Sequence, residues 1–104
     1  MTYRFLLPPD VENLVYDAAL YIAEDNPTRA IAWVDEVFEA MRSICELPRA
    51  CSVDEGKTAQ LGREIRRKPF GRYQIFYEVN ETNQRVTVVH FQHAARGDAP
   101  MDRR

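Results

Sequence analysis

Residues 63–93 constrain this chain most, because three runs rich in aromatic and β-branched side chains are separated there by two turn signals, Pro69-Phe70-Gly71 and Asn80-Glu81-Thr82-Asn83. Each run is long enough for a strand, and the turns are short enough to join neighbours, so the stretch predicts an antiparallel β-meander. In its middle strand Tyr73, Ile75, Tyr77 and Val79 share one face and form the expected core. Arg72, Gln74, Phe76 and Glu78 share the other. In the last strand Val86 and Val88 oppose Thr87, Val89 and Phe91, apolar on both faces, which predicts a central position. One sheet face is expected against helices, the other, partly polar, under something outside this chain.

The elements before the meander follow from periodicity. Tyr3-Arg4-Phe5-Leu6-Leu7 reads as a strand with Tyr3, Phe5 and Leu7 on one face, stopped by Pro8-Pro9. From Asp10, the positions Val11, Leu14, Val15, Ala18, Tyr21 and Ile22 are spaced by three and four, which predicts a helix burying one stripe. Asp10 and Glu12 lie in its first turn, where carboxylates complement the helix dipole. Asn26-Pro27 is the expected cap and first residue of a second helix, with Ala30, Val34, Val37, Phe38, Met41, Ile44 and Cys45 on one face and an end before Pro48. The short connection predicts an antiparallel helical hairpin. Trp33 falls beside that stripe, either as packing or as part of a partner surface. Residues 48–62 show no usable periodicity and read as a long functional or partner-ordered loop.

The fold class is therefore α+β: an N-terminal strand, an antiparallel helical hairpin and a three-stranded antiparallel meander, forming one small curved sheet packed on the helices. At 104 residues the chain is expected to be a single domain, 1–104. The apolar run near the N-terminus is too short for a signal-peptide core and nothing approaches the roughly 20 residues needed to span a bilayer, so a cytoplasmic protein without membrane contact is expected. Cys45 and Cys51 form neither a CxxC pair nor part of a zinc set, and Cys45 reads as a small buried hydrophobe. No metal or cofactor is expected.

Charge supplies the functional clue. The net charge is −2, yet Arg63, Arg66, Arg67, Lys68 and Arg72 crowd the start of the meander against one acid, Glu64. Up to Gly62 eleven acids face five cations, and from Arg63 onward nine cations face five acids. Such a dipolar surface steers its basic side towards polyanions or an acidic partner. Arg63, Arg66, Arg67, Lys68 and Arg72, with Trp33, are the candidate residues for binding a target or a partner protein.

Three strings in order, Tyr21-Ile22-Ala23-Glu24-Asp25-Asn26-Pro27, Gly71-Arg72-Tyr73-Gln74-Ile75-Phe76-Tyr77 and His90-Phe91-Gln92-His93-Ala94-Ala95-Arg96-Gly97-Asp98, together with the element order, resemble the RelE/ParE superfamily of bacterial type II toxins, closest to its ParE, plasmid-stabilisation branch. The resemblance covers nearly the whole chain. It implies a toxin held inactive by a cognate antitoxin protein, whose segments wrap it and cover apolar and basic surface, in a hetero-oligomer or alongside a homodimer.

The superfamily divides by target. ParE-type members poison DNA gyrase and need no catalytic constellation, whereas RelE-type members cut messenger RNA on the ribosome. A nuclease must activate a ribose hydroxyl, stabilise a pentacoordinate phosphate and protonate a leaving oxygen. Arg66, Arg67, Lys68 and Arg72 are candidates for phosphate binding, Arg96 for developing charge, and His93 or Tyr77 for proton transfer. Against this, attachment to ribosomal RNA favours a strongly basic protein, and the pI here is about 5.7. His90 and His93, three apart on an extended segment, are expected to face opposite ways. Gyrase inhibition is the leading expectation; ribosome-dependent endoribonuclease activity and a non-toxic interaction module are the alternatives.

Overall fold

Pro9 and Pro27 each open a helix, at the position where a missing N–H has no intrahelical partner to lose. The computed structural model describes residues 3–96, apart from the Arg96 side chain; Met1, Thr2 and the stretch from 97 onward, with the Ala99–Arg104 tail, lie outside the described residues. The first helix, α1 (Pro9–Ala23), hands over to α2 (Pro27–Ser43) through a turn in which Asn26 Oδ1 accepts the Arg29 backbone N–H at 3.0 Å. That cap satisfies one of the orphan donors of α2. A short 3-10 turn, Ile44–Glu46, then ends the helical hairpin before Pro48.

The faces of these helices differ from expectation at two residues. Tyr21 is 73% exposed, because it lies about 100° around the helix from Ile22, off the line of Val11, Val15 and Ala19 that is buried. Trp33, read from the sequence as packing or partner surface, is 7% exposed and lies in the core. The buried line of α2 runs Ala30, Trp33, Val37, Met41, while Val34 and Phe38 sit half-buried at its margin. Trp33 meets Phe70, Tyr73 and Phe91 edge-on at centroid distances of 6.3, 5.3 and 6.1 Å. Aromatic contacts of this geometry are favourable beyond their buried area.

The sheet contains β1 (Arg4–Leu6), β2 (Arg66–Phe70), β3 (Tyr73–Asn80) and β4 (Arg85–His93) in the order β1-β4-β3-β2. The last three form the expected antiparallel meander, and β1 adds in parallel to β4, which makes β4 central. The first turn is tighter than Pro69-Phe70-Gly71 suggests: Pro69 and Phe70 belong to β2, and Gly71 and Arg72 alone form the loop between the paired Phe70 and Tyr73. Gly71 has φ 56°, the left-handed value that the first position of such a loop favours. Pro69 is tolerated because β2 is an edge strand.

Ile75, Tyr77, Val86, Val88 and Phe91 pack against Val11, Val15, Ala19, Trp33, Val37, Met41, Ile44 and Cys45, with Tyr3, Phe5 and Leu7 at the margin. Each fully buried valine or methionine in this layer contributes roughly 1.5–3 kcal/mol. Phe91 was expected on the other face. Phe76 pairs with His90 while Tyr77 pairs with Val88, so Val89 is an extra residue in β4, and the bulge reverses the alternation beyond it. Phe91 thereby joins Val86 and Val88.

Residues 48–62 also differ from a plain loop. Val53 bridges to Arg66, and Glu55–Leu61 forms a third helix, α3, capped by Asp54 Oδ1, which accepts the Lys57 backbone N–H at 2.8 Å. Its Lys57 Nζ stands 5.1 Å from the centroid of Phe76, on the sheet face away from α1 and α2. Phe76 and Ile65 are buried, so the chain itself covers part of the face expected to await an outside partner. Seven residues carry too few helical turns for their periodicity to register in the sequence.

Candidate functional site

The cationic strip is built by β2 and the hairpin that follows it, and alternation along the strand divides its members. Arg66 and Lys68 are paired with Tyr77 and Ile75 and point to the helix side; Arg67, paired with Phe76, points to the side carrying α3. Arg63 precedes the strand and Arg72 occupies the hairpin tip. The five groups surround one sheet edge rather than lining one face.

Three of them are engaged internally. Arg63 Nε is ion-paired with Glu78 Oε1, and Arg67 Nη1 lies 3.5 Å from Asp54 Oδ2, which ties β2 to the cap of α3. Arg66 Nη1 donates to the carbonyl oxygens of Cys51, at 2.6 Å, and Arg49, at 3.4 Å, while its Nη2 lies 3.6 Å from Glu64. The acids responsible belong to the meander and the 48–62 segment. The ion pairs of α2, Arg29 with Glu36 and Arg42 with Glu39, are internal to that helix. Lys68, half-buried, and Arg72, exposed, form no ion pair among the described residues.

Tyr77 is spent in the same way as Arg66. It is fully buried and its hydroxyl donates to the Pro48 carbonyl at 2.7 Å. Burial, reinforced by contact with Cys51, pushes its pKa far above the ordinary tyrosine value, so the proton stays on the oxygen. In this arrangement the Tyr77 hydroxyl serves to hold the Pro48 carbonyl.

The remaining nuclease candidates lie elsewhere. His93 pairs with Tyr73, with the two rings edge-on at 5.0 Å, and its Nδ1 accepts the Ala95 N–H at 3.0 Å. His90 pairs with Phe76 on the opposite face, as the spacing predicted. Along β3, Tyr73 and Tyr77 are four residues apart, roughly 13 Å at the rise of a strand. His93 and Arg72 thus stand at one end of the sheet, and Arg66 with Tyr77 towards the other. The Arg96 side chain lies outside the described residues.

Sequence reasoning missed a polar chain that holds this corner together. Glu81 accepts from Tyr3 Oη at 2.6 Å and from Arg49 Nε at 2.7 Å, and Arg49 Nη1 reaches Glu64 at 3.5 Å. The Tyr3 hydrogen bond, then Arg49, holds the Glu81 carboxyl below its usual pKa, and the same contact with Glu81 raises Tyr3 and Arg49. Its members come from the residue before β1, the 48–62 segment, the approach to β2 and the β3–β4 turn, so no local signal could have joined them.

A strand, two antiparallel helices and an antiparallel meander, with cations along the hairpin edge, match the architecture the sequence resemblance implied. A family model for the ParE toxin of the type II toxin–antitoxin system parDE matches residues 6–97. The chain belongs to the ParE toxin family. No curated protein matches it significantly. Membership makes this ParE-family chain a type II toxin-system component with an antitoxin partner. Among the described residues, no helix of the ParE-family fold seen here is long and apolar enough to cross a membrane.

Proposed function

We propose that this chain is a ParE-type toxin that acts in the cytoplasm, without catalysis of its own, by inhibiting DNA gyrase until a cognate antitoxin covers it. The observation that carries the reading is the dispersal of the catalytic candidates. Arg66 and Tyr77 anchor the 48–51 segment while His93 stands with Arg72 at the far end of the sheet, so among the described residues Arg66, Tyr77 and His93 do not meet at one point. A surface that obstructs a DNA-bound machine needs only contact area and charge. Lys68 and Arg72 are the hairpin cations still available for it, with Arg63 and Arg67 at the rim in partly exposed pairs.

An antitoxin has surface to cover as well. Tyr16, Leu20, Tyr21 and Ile31 are exposed on the helical hairpin and offer apolar contacts to it.

The deciding experiment is DNA supercoiling by purified gyrase with increasing toxin, run beside toeprinting on translating ribosomes. Inhibition of supercoiling, relieved by added antitoxin, is expected, with no new cuts in the ribosomal A site. A-site cleavage that requires His93 would move the chain to the RelE-type nuclease reading. Folded protein that does neither, and causes no growth defect, would make it a binding module.

A further inference from the structure

We infer that Arg4 and Arg85 form an anion site for a phosphate group on the sheet face opposite α1 and α2. They are direct partners in the parallel ladder between β1 and β4. Partners in a ladder carry their side chains on one face about 4.8 Å apart, and here that face is opposite to the one holding Phe5 and Val86. Two like charges placed side by side destabilise a strand pair unless something neutralises them. Neither arginine makes an ion pair or a side-chain hydrogen bond among the described residues, and the Nε of Arg85 is buried without an acceptor.

The surrounding acceptors are committed elsewhere. Asn80, opposite Arg85 on β3, uses its Oδ1 to accept the Asn83 N–H at 3.0 Å. Glu78, one row further along, is paired with Arg63, and Glu81 is held by Tyr3 and Arg49. Leu6 and Thr87, partners of each other, continue the row as uncharged neighbours. Two adjacent guanidinium groups offer a cluster of planar donors and two positive charges. A phosphate, with several acceptor oxygens and up to two negative charges, answers both requirements, whereas one carboxylate answers half of the charge. The ligand is a terminal phosphate monoester, as at a nucleotide end, since a backbone phosphodiester carries one charge as a carboxylate does. The site is independent of the gyrase reading, since any phosphate-bearing partner satisfies it.

The test is a titration of isotope-labelled protein followed at the arginine Nε–H resonances. The probes are inorganic phosphate, a dinucleotide with and without a 5′-phosphate, and a hexaglutamate peptide. Phosphate probes are expected to shift Arg4 and Arg85, more weakly as salt rises, and to raise Tm. Arg4→Gln and Arg85→Gln should each weaken binding at least fivefold, while Arg29→Gln leaves it unchanged. If Arg85→Gln does not fold, Arg85→Lys keeps the charge but loses the planar donors and should show the same direction. Tighter binding of the 5′-phosphorylated dinucleotide than of the form without it is expected, and equal binding of the two would overturn the match of two guanidinium groups to a doubly charged phosphate. No shift with any phosphate probe, or an equal response to hexaglutamate, overturns the assignment.

Discussion

Arg66 and Tyr77 face each other across the β2–β3 ladder and hold the same segment: Arg66 donates to the Cys51 carbonyl at 2.6 Å and Tyr77 to the Pro48 carbonyl at 2.7 Å. The pair turns a stretch without hydrophobic periodicity into a fixed strap along the sheet. Two of the side chains considered for nuclease chemistry thus have their donors engaged within the fold.

Removing the arginine should therefore cost stability first. Arg66→Ala leaves two carbonyls without their charged donor, and a loss of about 2 kcal/mol is expected, the range for a hydrogen bond to a charged group. Lys68→Ala, which breaks no ion pair, should stay within about 0.5 kcal/mol of the parent. Urea denaturation of both variants checks the contrast, and equal stabilities would return Arg66 to the binding surface.

The same division predicts which cations matter to the target. Lys68→Ala and Arg72→Ala together should weaken gyrase inhibition about tenfold or more while leaving the melting curve in place. A double variant that folds and inhibits like the parent would remove the hairpin from the target contact.

Tyr77 makes stability fall in alkali. Its folded pKa is raised, so its contribution is complete below the unfolded value of about 10 and declines as pH rises towards the folded value. Tyr77→Phe should start about 1 kcal/mol less stable at neutral pH, from the lost hydrogen bond to Pro48, and should lose less on going from pH 9 to 11. Thermal melts over that interval give the comparison.

Glu81 works in the opposite direction. Its folded pKa is lowered, so its contribution is present above the unfolded value of about 4.3 and is lost as pH falls through the folded value. Glu81→Gln should flatten the acid limb of the stability curve below about pH 4.5 and leave the alkaline limb to the tyrosines. An unchanged acid limb in this variant would show that the Tyr3–Glu81–Arg49 chain is not formed in solution.

Trp33 offers a check on the core. Trp33→Ala should cost about 3–5 kcal/mol, the usual penalty for emptying an aromatic core site. The parent's tryptophan emission should be that of a buried indole and should change little when antitoxin binds. A large change on binding would place the ring at the interface after all.

How much was legible in the sequence follows from the range over which each signal acts. Asn26 with Pro27, Gly71, and the alternation of Tyr73, Ile75, Tyr77 and Val79 were readable because capping, turn geometry and strand alternation act within a few residues. Those local rules determined by themselves the helical hairpin, the meander, the central place of β4 and the gathering of cations near β2. Only the tertiary structure decided that Val89 bulges and turns Phe91 inward, that α3 covers Phe76, and that Arg63, Arg66 and Arg67 are neutralised by Glu78, Glu64 and Asp54. It also set Arg4 beside Arg85, although 80 positions separate them in the sequence. Pairing across such distances depends on register and packing, which one-dimensional spacing does not encode, and register decides which charges remain free to meet a partner.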